Sequence, residues 1–201
     1  MPKKVVPLVT NERYHIYNRG VDKRNIFIDK FDYIRFYQSL AYFNTIEATQ
    51  NFRLAKYHHT KQHKRLVEIE AYCLLPNHYH MILKQTHDSG VSEFMKRVSA
   101  GYTGYFNDKH KRSGSLFQGV FKRVHIENDA LYSYLFSYVN ENHVVHGLVR
   151  DSDICYSSAA HYQGITRSNL ILDDRPYNAG DAKKLALSIY RKRHQYAELL
   201  E

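Results

Sequence analysis

Residues 65–84 constrain the fold more than any other stretch of this chain. "RLVEIEAYCLL" (65–75) alternates, with Val67, Ile69, Ala71, Cys73 and Leu75 at every second position. That period predicts a strand with those five side chains on one face. Pro76-Asn77 interrupts the pattern, and "HYHMILK" continues as a second extended segment. It places His78 and His80 one residue apart in an otherwise apolar run, and a strand points both imidazoles to the same face. Imidazoles are an odd choice for a segment that only has to fill a core.

Elements on either side complete the layout. "ERYHIYN" (12–18) is rich in strand formers, and "NRGVDKRNIF" follows it as a polar connection. From Asp29 to about Asn44, Tyr33, Phe36, Tyr37, Leu40 and Phe43 recur at helical spacing. A second helix is expected from about Val91 to Lys109, with Val91, Phe94, Met95, Val98, Tyr102 and Tyr105 on its apolar stripe. "GSLFQGVFKRVHIE" (114–127) reads as an extended return, and Asn128-Asp129 can cap a third helix running to about His143. The order strand–helix–strand–strand–helix–strand–helix predicts an α+β domain, a sheet covered by helices. That domain is expected over residues 1–165, with a basic helical appendage over 166–201.

Charge narrows the partners. Twenty-nine Lys and Arg against 20 Asp and Glu give +9 and a pI near 9.4, which suits a polyanion, although many soluble proteins are basic for no specific reason. The 18 tyrosines, with no tryptophan, can stack on exposed bases or sit at core edges. No apolar run approaches the roughly 18 residues that span a bilayer, and "MPKKVVPLVT" lacks a signal-peptide core. With only Cys73 and Cys155, no disulfide framework is expected; the expectation is a cytoplasmic protein without membrane partners.

Two imidazoles projecting side by side are a natural pair of metal ligands, or else a hydrogen-bonded, half-buried pair. The third helix, "NDALYSYLFSYVNENHV", supplies a further group by geometry. Leu131, Leu135, Tyr138 and Asn142 share one of its faces, the first two packing on the sheet and the last two one turn apart beyond them. A phenol and a carboxamide are costly to bury without partners, and a metal on the sheet would satisfy both. The simpler alternative is a core-edge tyrosine with its hydroxyl in water. A phenol is a weak nucleophile at neutral pH, and a divalent ion on a phosphate oxygen would make the phosphorus more electrophilic. A phosphotyrosine link keeps bond energy for rejoining, which suits cutting and resealing a nucleic-acid strand. Among rival tyrosines, Tyr102 and Tyr105 lie near Asn107, but Tyr102, five residues before it, does not converge with it, and Tyr134 lacks a carboxamide four residues on.

"YHIYNRG", "LLPNHYHMIL", "GSLFQGVFK" and "YVNEN" resemble, in order, landmarks of the single-tyrosine HUH transposases, nearest to the REP-associated tyrosine transposases, over about residues 12–165. The resemblance implies a ferredoxin-like antiparallel sheet with helices on one face. It implies a metal-dependent endonuclease and strand transferase that cleaves single-stranded DNA near hairpins through a covalent 5′-phosphotyrosine. Tyr138 would be the nucleophile. His78, His80 and Asn142 would hold Mg²⁺ or Mn²⁺, the two imidazoles suiting manganese at least as well. The partner would be single-stranded or hairpin DNA, REP-like palindromes among the candidates, bound by a monomer or homodimer at the nucleoid.

The chain departs from the family at three places: His143 where proline is usual, Phe117 for tryptophan, and Val120 where an arginine is common. The last removes one expected DNA contact. Lys96, Arg97, Lys111, Arg112, Lys122 and Arg123 are the basic residues expected to touch phosphates, or else to be solvated surface charges. Two other readings stand beside the enzyme: a domesticated hairpin-binding protein that does not cut, and a phosphodiesterase using "HHT" (58–60) and "HDS" (87–89).

Overall fold

The computed structural model describes residues 7–47, 52, 64–146, 156–172 and 175–191. "HHT", Cys155 and the chain beyond Arg191 lie outside the described residues. Five strands form one antiparallel sheet in the order β4-β1-β3-β2-β5: β1 Arg13–Arg19, β2 Val67–Leu75, β3 His78–Gln85, β4 Lys122–His125 and β5 Tyr156–Ser157. The helices are α1 Lys30–Tyr42, α2 Gly90–Lys109, α3 Asp129–Asn140, α4 Asn142–Val145, α5 Ala159–Tyr162 and α6 Ala179–Arg191. Two of the three expected helix starts carry side-chain caps. Asp29 accepts from the Phe31 and Asp32 amides in a reciprocal box with Asp32, and Asn128 accepts from the Leu131 amide.

Helices α1 and α2 share one face of the sheet. Phe36 and Leu40 of α1 and Phe94, Val98 and Tyr102 of α2 pack there with Ile16, Leu74, Tyr79, Met81 and Leu83. The ferredoxin-like α+β architecture is present, and α3 adds a layer on the opposite face. There Leu135 and Val139 pack on Ala71, Cys73, Leu75 and Ile82. Among the described residues no helix is long and apolar enough to cross a membrane.

Three local expectations need correction. Val67 and Ile69 do not share a face with Ala71, Cys73 and Leu75. The ladder to β3 runs Ile69↔Leu83 and then Ala71↔Ile82, so Glu70 is an extra residue that shifts the alternation by one. Its buried carboxylate accepts from Arg13 Nε at 2.9 and 3.0 Å. The return over 114–127 is a strand only at Lys122–His125, because Gly114 (φ 82°) and Gly119 (φ 72°) turn the chain before it. The third helix breaks at Glu141 (φ −98°, ψ 11°) and resumes as α4.

The described residues beyond 166 rest on this body. Leu170 and Ile171 join the α1/α2 core, while α6 packs on α3 and α4 with Ala182 and Ala186 buried.

Candidate active site

The turn at Pro76-Asn77 starts β3 at the edge of the α3 layer. His78 lies opposite Arg19 of β1 and Leu75 of β2; His80 lies opposite Tyr17 and Cys73. The strand period sends both rings toward α3, with centroids 5.2 Å apart and planes at 87°. His80 is 3% exposed. Each ring has its Nδ1 engaged. Asn77 Nδ2 donates to the Lys23 carbonyl at 3.2 Å, so its Oδ1 faces His78 Nδ1 at 2.6 Å and accepts that N–H. His80 Nδ1 sits 2.9 Å from Nε2 of the buried His15.

Burial disfavours both imidazolium ions. It pushes His78 down to about 3, helped by His146 and opposed by the Asn142 amide. His80 lies well below its ordinary value through burial first, then repulsion from His15, His78 and His146. At neutral pH both rings are therefore uncharged, the form in which imidazole binds metal.

Helix α3 brings Tyr138 over this pair. Its ring meets His80 edge-on at 5.6 Å and His15 at 6.3 Å, and the residue is only 4% exposed. The helix end is tethered to the sheet edge: Ser158 Oγ donates to Asn140 Oδ1 at 2.6 Å, and Ser157 Oγ donates to the Asn140 carbonyl at 2.8 Å. Past the break, Glu141 Oε1 accepts from the Tyr177 hydroxyl at 2.5 Å. Asn142 then sits fully buried, its amide directed at His78 but outside ideal hydrogen-bond geometry. A buried carboxamide is costly unless its polar atoms are satisfied, and here its interaction is with the His78 ring.

A cavity of about 240 Å³ opens between the sheet and α3. Tyr138, His78 and His80 line it, together with Tyr17, Arg19, Lys23, Gln118, Lys122 and His146. The strand reading of 12–18 and the HUH-like landmarks did not single out Arg19, Lys23 or His15. His146 had a usable signal, since it continues the four-residue spacing of Tyr138 and Asn142; its ring lies 5.0 Å from that of His78.

The structure divides the expected basic contacts. Lys122 reaches the cavity, but Arg123 follows the alternation of β4 and pairs opposite core-facing Ile16. Lys96 and Arg97 belong to α2, on the far face. Arg97 holds Glu93 at 2.8 Å and the carbonyls of Thr45 and Glu47 at 2.8 and 3.0 Å. Arg112 ties down its own turn through Asn107 and the Ser115 carbonyl, and neither it nor Lys111 lines the cavity. "HDS" lies in an exposed turn before α2. Of the rival tyrosines, Tyr102 is buried under α2 and donates to the Ile26 carbonyl at 2.5 Å.

Among the described residues no three His, Cys, Asp or Glu side chains gather as a metal site. The donor set that fits one here is two imidazole Nε2 atoms and the Asn142 amide oxygen, leaving positions for phosphate or water oxygens.

A solved structure described as the REP-associated tyrosine transposase bound to a REP hairpin is similar over 89% of this chain and 96% of its own, with a TM-score of 0.54. At 17% identity the likeness is one of fold. No curated protein matches. The family model described as transposase, IS200-like (Y1_Tnp), matches residues 8–142, from the entry to β1 through Tyr138 to Asn142. The chain belongs to the IS200-like transposase family.

Proposed function

We propose that this protein is a metal-dependent endonuclease and strand transferase for single-stranded DNA, cleaving beside hairpins through Tyr138. The observation that carries the reading is the convergence, in one cavity wall, of Tyr138 and two uncharged imidazoles, with the buried Asn142 carboxamide bearing on His78 from behind that wall. His78, His80 and Asn142 would hold Mg²⁺ or Mn²⁺. When bound, such an ion supplies Lewis-acid polarisation of a phosphoryl oxygen and offsets charge in the transition state.

The remaining steps belong to the chain. Lys122, Lys23 and Arg19 supply positive charge around the cavity, where they would hold the phosphates flanking the scissile bond. Tyr138 Oη attacks phosphorus and loses its proton, the bond to the 3′ oxygen breaks, and a free 3′-hydroxyl and a 5′-phosphotyrosine result. Attack on that ester by a 3′-hydroxyl reverses the chemistry and joins strands, with the phenol as leaving group. The packing of α3 on β2 and β3 of the same chain supports a site assembled within one chain. The hairpin preference rests on the similar structure, which is bound to one.

The test is metal-dependent cleavage of labelled hairpin DNA with single-stranded flanks, run with Mn²⁺ or EDTA and resolved on a denaturing gel. Cleavage in Mn²⁺, lost in EDTA and in His78→Ala and His80→Ala, is expected. Tight binding of the hairpin without cleavage under any metal would make the protein a hairpin binder instead.

A further inference from the structure

One buried histidine has no part in the reaction just described. His15 has no exposed surface and lies edge to edge with His80, with centroids 5.1 Å apart and planes at 14°. Its Nε2 lies 2.9 Å from His80 Nδ1. A neutral imidazole carries one N–H and one lone pair, so a hydrogen bond between two such rings needs one of each. If His80 accepts at Nδ1, its proton sits at Nε2 and the ring cannot ligate through that atom. If His80 donates from Nδ1, the lone pair at Nε2 is exposed to a ligand. At His78 the same choice is settled by Asn77, whose Oδ1 accepts the Nδ1 proton.

We infer that His15 is a positioning residue, its Nε2 accepting the Nδ1 proton of His80 and holding the His80 Nε2 lone pair toward the metal position. The inference rests on the metal site proposed above. His15 is suited to the task because an imidazole accepts this proton without bringing a negative charge into a sealed layer, as a carboxylate would. Its edge contact with Tyr138, at 6.3 Å and 85°, makes the same ring a wall for the nucleophile. Partners of this kind fix ligand tautomer and orientation, and their loss typically lowers metal affinity by about 10–100-fold.

The test has two readouts that do not involve cleavage. In the metal-free protein, long-range ¹H–¹⁵N spectra of the imidazoles should show His80 and His15 both protonated at Nδ1; a His80 proton at Nε2 would overturn the inference. Mn²⁺ affinity, measured by electron paramagnetic resonance, should fall about 10–100-fold in His15→Phe. It should return most of the way in His15→Gln, whose amide oxygen reaches the place of Nε2. Wild-type affinity in a folded His15→Phe, or a folded His15→Gln as weak as the Phe variant, would overturn it. Should His15→Phe fail to fold, the tautomer pattern decides. His80→Ala separates the two claims: if it keeps full Mn²⁺ affinity, the metal site itself falls. If it loses affinity while His15→Phe does not, only the role of His15 falls.

Discussion

Acid should loosen this fold through the imidazoles that line the cavity. In the unfolded chain His78 titrates near 6.5, and in the folded protein burial lowers it to about 3. Between those values the unfolded state takes up a proton that the folded state refuses, so stability is full above about 6.5 and declines as the pH falls. At about 1.4 kcal/mol per pH unit, moving from pH 7 to pH 5 costs about 2 kcal/mol from this residue alone. His80, lowered further, acts in the same direction. Urea denaturation in EDTA, at several pH values, measures the sum over all groups. The comparison that isolates His78 is with His78→Asn, which keeps a polar side chain but cannot titrate. The loss of stability between pH 7 and pH 5 should be smaller in the variant by about 2 kcal/mol. An undiminished loss would refute the claim that His78 is held neutral by burial.

Other consequences follow from packing and charge. A methyl group on Gly20 would lie 2.2 Å from the Arg24 carbonyl oxygen, so Gly20→Ala should lose about 1–3 kcal/mol in urea denaturation and displace the Lys23 turn. Lys122→Ala should weaken single-strand binding and reduce the slope of log affinity against log salt by about 0.7. Arg97→Ala should leave that slope unchanged and lower the melting temperature, since Arg97 holds Thr45, Glu47 and Glu93. Tyr177→Phe leaves the buried Glu141 carboxylate without its donor and should cost about 1–3 kcal/mol, read by chemical denaturation.

Much of this fold is legible in the chain because local signals agree with it. Asp29 and Asn128 announce helices that they do cap, and the spacing of Phe36, Leu40, Phe94 and Val98 marks the faces that meet the sheet. The bulge at Glu70 was hidden for a physical reason. β2 is buried on both faces, so apolar residues at Ala71, Tyr72, Cys73 and Leu74 carry no alternation that a one-residue shift would break. The break at Glu141 has neither glycine nor proline to mark it; it coincides with tertiary contacts from Ser157, Ser158 and Tyr177. Spacing could pair His78 with His80 because both lie on β3, and Tyr138 with Asn142 because the break at Glu141 separates α3 from α4 by a single residue. Arg19 and Lys23 reach the cavity through the pairing of β1 with β3 and the turn after it, which sequence spacing does not encode. Nor does a run of basic residues reveal which of them are occupied: Arg97 and Arg112 are spent on backbone carbonyls, and Lys122 is not.

The central claim is that Tyr138 becomes covalently joined to DNA. Its most direct test is mass spectrometry of the protein after incubation with hairpin DNA bearing single-stranded flanks and Mn²⁺, followed by nuclease and protease digestion. A peptide containing Tyr138 with a nucleotide phosphate on the phenol, absent in EDTA and in Tyr138→Phe, is the predicted result. Cleaved DNA with no adduct on any tyrosine, or an adduct that persists in Tyr138→Phe, would contradict the account.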